Sequence, residues 1–284
     1  MAYVMDLAAI VISAMLSMLP AIVSSSAVVQ QEPDTTRRTL RFPGSDGPGR
    51  MLEVSNVNGR VRIIAEDRQD VGIVAVRPAG EAAAQASDSP GPDFREESDR
   101  ILVCGDAEQC GCHQDARSRR RSRDGADRRV DLELRVPRQV ALDVCAVSGQ
   151  VVVEGVEGRY ELRTVSGSVT MTDVRGSGLV RTVNGAIDAS FIEPPATASG
   201  FKTVNGRIEV RFPGTLSADL RLRTLNGELL TDFETTRMAS APMQEQRGAR
   251  RVYRANRYTA VRVGQGGPEL TFETVNGDVR IRRR

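Results

Sequence analysis

Apolar and polar residues alternate along most of the chain in short runs, each broken by a glycine that follows Asn or Ser. A period of two marks a β-strand with one buried face. The clearest runs share a phrase: "RTVNGAID" from Arg181, "KTVNGRIE" from Lys202, "RTLNGELL" from Arg223 and "ETVNGDVR" from Glu273. With the Val or Leu before each Ser/Asn-Gly as anchor, the anchors are Val57, Val147, Val165, Val183, Val204, Leu225 and Val275. From Val147 onward their spacings are 18, 18, 21, 21 and 50 residues, and a period near twenty is the mark of a stacked repeat.

The columns of the repeat are consistent. Three residues before the anchor stand Val54, Val144, Leu162, Val180, Phe201, Leu222 and Phe272. Four residues after it stand Val61, Val151, Val169, Ile187, Ile208, Leu229 and Val279. Thr recurs one residue before the anchor, at Thr164, Thr182, Thr203, Thr224 and Thr274. The corner pairs Asn58-Gly59, Asn184-Gly185, Asn205-Gly206, Asn226-Gly227 and Asn276-Gly277 supply residues that tolerate positive φ, as a tight bend requires. Half-phase corners follow at "VEG" from Val156 and "VRG" from Val174.

Two architectures fit the local parity: a β-solenoid of short parallel strands, or an antiparallel meander or barrel with type I′ hairpins. Three features favour the solenoid. The anchor stays apolar, as an inward-pointing corner would need. Asn184, Asn205 and Asn226 occupy one column, ready to form a side-chain ladder. Insertions change the period without breaking the phrase, which coils tolerate at corners. The expected fold is therefore all-β, a single-domain β-solenoid of 18–21-residue coils with polar insertions.

The iterated phrase "Φ-x-T-V-N/S-G-x-I-x-V" resembles the bacterial putative-adhesin family, exported β-solenoid repeat proteins of unknown function. The resemblance runs from about Leu52 to Arg282. It implies an exported repeat domain and brings no catalytic residues with it. The Cys-rich, Arg-rich insertion has no place in that pattern.

The chain divides accordingly. An apolar run from Leu7 to Val23, with Ser25 and Ala27 at the −3 and −1 positions of a cleavage site, reads as a signal peptide over residues 1–27. The rival reading is a retained single-span anchor. Residues 28–50 read as a linker and 51–284 as the solenoid domain, with insertions at about 77–99, 105–129 and 234–257. The C-terminal "RIRRR" reads as a charged guard on an open sheet edge. Export places the protein in the periplasm or at the cell surface, with no membrane insertion once the signal is cleaved.

Composition adjusts this picture only slightly. Hydrophobic residues make up 40% and aromatics 4%, with no Trp, which suits a thin aliphatic core. The formal charge of +2 does not imply a polyanion partner. Four cysteines, Cys104, Cys110, Cys112 and Cys145, suggest two disulfides in an oxidising compartment. Cys110 and Cys112 are too close to bridge each other without strain, so each is expected to pair with one of Cys104 and Cys145. Three thiols beside His113 raise a metal site, but the spacing lacks the two separated pairs of a zinc centre. No metal or cofactor is expected.

One column carries candidate chemistry. Two residues before the anchor stand Arg163, Arg181, Lys202 and Arg223, which in a solenoid would stack and repel. Either carboxylates such as Asp188 and Glu209 pair with them, or an extended anion lies along the row. The arginine run around Arg119, Arg120 and Arg121 lacks interleaved aromatics, so nucleic acid is not an expected partner. Asp173, Asp188, Glu209 and Glu228 are the carboxylates a sugar-cleaving enzyme would need. The expected function is a non-enzymatic envelope scaffold or adhesin-like module, with an envelope glycan or envelope protein as partner. The alternatives are a carbohydrate-active enzyme on a β-helix scaffold and an anion-binding envelope sensor.

Overall fold

The computed structural model describes residues 34–41, 51–77, 92–97, 99–106, 110, 112, 129–238, 243–247, 250–254 and 258–284. The signal peptide read at 1–27, His113 and nearly all of the Arg-rich insertion lie outside these residues.

The first strands are β1 (Asp34–Arg41), β2 (Met51–Asn58), β3 (Val61–Glu66) and β4 (Asp70–Arg77). Then come β5 (Asp93–Glu96), β6 (Arg100–Cys104) and β7 (Asp131–Pro137). Five pairs follow, each made of the two halves of one coil. They are β8 (Ala141–Ser148) with β9 (Val151–Glu154), β10 (Tyr160–Arg163) with β11 (Val169–Val174), and β12 (Gly178–Arg181) with β13 (Ile187–Phe191). The last two are β14 (Ser199–Lys202) with β15 (Ile208–Phe212), and β16 (Ala218–Arg223) with β17 (Leu229–Thr231). β18 (Thr235–Arg237), β19 (Met243–Arg247), β20 (Arg250–Arg254) and β21 (Thr259–Val263) lead to the final pair, β22 (Glu269–Glu273) and β23 (Val279–Arg283).

These strands form two long sheets, of 10 and 11 strands, and β19 and β20 form a hairpin of their own. Like segments of successive coils pair in parallel: β8 with β10, β10 with β12, β9 with β11 and β11 with β13. The expected solenoid is thereby observed, and the alternative antiparallel meander or barrel is not. Antiparallel pairing is confined to the hairpin and to the ends of the stack, where β1, β4 and β5 close one end and β21 and β18 close the other.

The inward columns form the core between the sheets. Val144, Leu162, Val180, Phe201, Phe272 and Leu222 line up from strand to strand, all buried. Val151, Val169, Ile187, Ile208 and Val279 do the same on the facing sheet. Coil spacing brings like rings into contact, with Phe201 stacked on Phe272 at 5.2 Å and Phe191 on Phe212 at 5.1 Å. Each buried Val, Leu, Ile or Phe contributes roughly 1.5–3 kcal/mol relative to exposure.

Four expectations need correction. Residues 28–50 are not all linker: Asp34–Arg41 pairs along its length with β4, and Leu40 packs against the core. The insertion at 234–257 contributes β18 to the main sheet and contains the β19–β20 hairpin. The C-terminal arginines do not guard an edge, because β23 runs between β15 and β17, and β22 between β14 and β16. Stack order therefore differs from chain order: the last coil is inserted beneath the coil that precedes it in sequence.

The fourth correction concerns the corner. The anchors point outward, with Val183 at 40% exposure and Leu225 at 68%, and Val147, Val165 and Val204 similarly placed. The threonine before each anchor points inward, where Thr164, Thr182, Thr203 and Thr274 are buried. Four of these hydroxyls donate to the glycine carbonyl of the adjoining coil, Thr182 to Gly167 at 2.9 Å, Thr203 to Gly185 at 3.0 Å, Thr274 to Gly206 at 3.0 Å and Thr224 to Gly277 at 2.9 Å, while the buried Thr164 hydroxyl has no partner among the described residues. Because the corner carbonyl needs that donor, strand parity sends the anchor to solvent.

Candidate functional site

The asparagine ladder is continuous and includes Asn276. Asn205 donates to Asn184 at 2.8 Å, Asn276 to Asn205 at 2.7 Å and Asn226 to Asn276 at 2.7 Å. Ser148 and Ser166 extend the same backbone column. At Gly185 and Gly206 the requirement is close approach: a Cβ would sit 2.1 Å from the Gly167 carbonyl oxygen and 2.0 Å from that of Gly185. The corner thus presents an outward aliphatic row beside an amide row.

The cation column lies on the outer face of the sheet that contains β8, β10, β12 and β14. Its order along the stack is Cys145, Arg163, Arg181, Lys202, Glu273, Arg223. The inserted C-terminal coil brings Glu273 between two cations, 3.3 Å from Lys202 and 2.8 Å from Arg223. Tyr258 donates to the same carboxylate at 2.8 Å, and the Arg223 guanidinium lies 5.6 Å from the Tyr258 ring centre. Partial burial raises the Glu273 carboxyl, but the hydrogen bonds of Tyr258 and Lys202 and the nearby charges outweigh it and hold the group below its ordinary range. Burial and the Glu273 carboxylate push the Tyr258 phenol upward. At the other end of the column Arg163 pairs with Asp143 at 2.8 Å.

Asp188 and Glu209 do not serve this column. They lie on the facing sheet, where Asp188 pairs with Arg207 and Glu209 with Arg211 and Arg282. Arg181 is exposed, and its side chain has no ion pair or hydrogen bond among the described residues. Of the carboxylates a sugar-cleaving site would need, Asp173 is held by Arg284 at 2.7 Å, and Glu228 is exposed at the last corner.

The structure joins Cys104 to Cys110 and Cys112 to Cys145, with Cα separations of 5.2 and 5.5 Å. The second bridge ties the Cys-rich segment to the foot of the cation column. There the Cys112 amide donates to Glu53 at 2.6 Å, and Arg100 pairs with the same carboxylate at 3.2 Å. Among the described residues no three His, Cys, Asp or Glu side chains come together to hold a metal.

Beside the column, the starts of β10, β12 and β14 surround a cleft of about 650 Å³ lined by Arg159, Glu161, Ser177, Leu179, Thr197 and Gly200, among others. Sequence reading missed this cleft. Its signal is the column four before the anchor, where Glu161 and Leu179 are followed by a glycine.

Parallel sheets, corner ladders and a disulfide-tied cap define an all-β solenoid of the repeat-protein class. Within it, residues 134–259 match the model of the Toastrack DUF4097 family. No curated protein matches the chain. Among solved structures, a putative cell adhesion protein from Clostridium sporogenes aligns over 89% of this chain and 100% of its own, with 9% identity and a TM-score of 0.47.

Proposed function

We propose that this chain is an exported, non-enzymatic β-solenoid that works as an envelope scaffold or adhesin-like binding module. The observation that carries the reading is the stack itself. Coils locked by Thr–Gly hydrogen bonds and an asparagine ladder hold aliphatic, amide and cationic rows at strand spacing, a rigid surface suited to a repeated partner. Two disulfides fit an oxidising compartment. The partner is an envelope glycan or another envelope protein. Arginine pairing of Asp173, Asp188 and Glu209 favours structural over catalytic roles for these carboxylates.

The test is cosedimentation of the oxidised protein with envelope fragments of the producing cell. Retention above that of an inert protein of similar charge supports the module, and absence of retention across a salt series overturns it. Turnover of a glycan panel that a single carboxylate-to-amide change abolishes would replace the module with an enzyme.

A further inference from the structure

The cleft beside the cation column exists because Gly200 contributes no side chain to an outward column otherwise filled by Glu161 and Leu179. A Cβ at Gly200 would meet only the flexible tip of Leu179, at 2.9 Å, so the space above the strand is open rather than packed. The loop before β14 borders it, fixed by the Thr197 amide donating to the Ser177 hydroxyl oxygen at 3.1 Å. That bond uses the oxygen and leaves the Ser177 proton free to donate. Among the described residues the Thr197 hydroxyl makes no hydrogen bond, and the exposed Arg159 has no ion pair or side-chain hydrogen bond. Glu161 offers a carboxylate 3.6 Å from Arg163, and Leu179 offers half-buried apolar surface.

We infer that this cleft binds a sugar unit bearing an acid group, as part of an acidic oligosaccharide. The inference rests on the binding-module reading and narrows its partner. The Arg159 guanidinium is a planar fork that matches a carboxylate or phosphate. The carboxylate of Glu161 and the hydroxyls of Ser177 and Thr197 match ring hydroxyls, and Leu179 matches the less polar face of a pyranose. A volume of about 650 Å³ lies in the range of small-molecule sites. Arg181 follows Leu179 by two residues on the same strand, so it faces the same side. Among the described residues it is the second guanidinium without a partner on this face, and it meets the next acid group along the chain. Tyr160 is fully buried, so the cleft has no exposed aromatic ring for a nucleic-acid base to stack on.

The test titrates the oxidised full-length chain with tetragalacturonate, galacturonate monomer, a neutral galactose tetrasaccharide and inorganic phosphate, read by calorimetry. Saturable binding of the acidic tetrasaccharide is expected, with the neutral one and phosphate weaker by on the order of tenfold or more. Arg159→Glu, at an exposed position that cannot unfold the core, should lower affinity for the acidic tetrasaccharide by at least that factor. Gly200→Leu should abolish binding while the unfolding midpoint stays in place. Tight binding of the monomer would assign the site to a free acidic sugar and overturn the oligosaccharide. Equal affinity for the neutral sugar, or wild-type affinity in both variants, would overturn the cleft. Envelope retention that survives both variants leaves the module standing without the cleft, whereas oligosaccharide binding without envelope retention does the reverse.

Discussion

Replacing Gly185 by alanine tests the corner most directly. The new methyl would lie 2.1 Å from the Gly167 carbonyl oxygen and 2.5 Å from its carbon. Relief needs the two coils to part by roughly 1 Å. The bonds that hold them there are Gly167 N–H to Asn184 O at 3.0 Å, Asn184 N–H to Val165 O at 2.8 Å and the Thr182 hydroxyl to Gly167 O at 2.9 Å. A shift of that size carries such contacts beyond hydrogen-bond range. Two or three bonds at roughly 1 kcal/mol each, with residual overpacking, give a destabilisation of roughly 3–5 kcal/mol. Gly214→Ala is the control, since its Cβ would meet nothing nearer than Arg283 at 3.6 Å and should be close to neutral. Urea unfolding followed by circular dichroism measures both. If Gly185→Ala lies within about 1 kcal/mol of Gly214→Ala, close approach is not what reserves this column for glycine.

Thr203→Val keeps the shape and removes the hydroxyl that caps Gly185, and should lose roughly 1–2 kcal/mol in the same unfolding assay. Val183→Ser should stay within about 0.5 kcal/mol of wild type because the anchor faces solvent, whereas Val180→Ser, three residues earlier and fully buried, should lose roughly 2–4 kcal/mol. Replacing Cys112 and Cys145 together by serine opens a bridge between residues 33 apart and should lower stability by roughly 3–4 kcal/mol, seen as an earlier denaturant midpoint. Glu273 has a depressed folded pKa, so its contribution is present above the unfolded value of about 4.5 and fades as pH falls through the lower, folded value. Glu273→Gln should therefore flatten the acid limb of a stability–pH curve below about pH 4.5, and an unchanged limb would show that its neighbours do not hold the carboxylate ionised.

The strand columns were readable because burial follows a period of two: Val144, Leu162, Val180 and Phe201 are inward as the pattern requires. The corner was misread because Val183 and Thr182 have nearly the same shape. Only the hydrogen-bond demand of the Gly167 carbonyl reveals that the threonine turns inward. The spacing of 50 before Val275 was visible, but a spacing does not say on which side of the preceding coil the next one lands. That placement decided the fate of the cation column, since it brought Glu273 beside Lys202 and Arg223. The cysteines left two pairings open, and proximity between strands chose one. The cleft escaped notice because it joins Arg159, Ser177 and Thr197 from three successive coils, and its one signal in the repeat columns, Gly200, is a missing side chain.

The threading of the β22–β23 coil makes the stack depend on a segment that follows, in sequence, the coil resting on it. As the chain folds, the earlier turns can zip up in order as far as β15, and the next place in the stack is filled only by β22 and β23. Until they arrive, β16 has only the antiparallel β21 beside it and β17 has no strand to pair with, since their parallel contacts are to β22 and β23. A nonsense codon before Glu269 would therefore strip two rungs from the stack rather than one. β22 and β23 thus act as a keystone for the coil that precedes them in sequence.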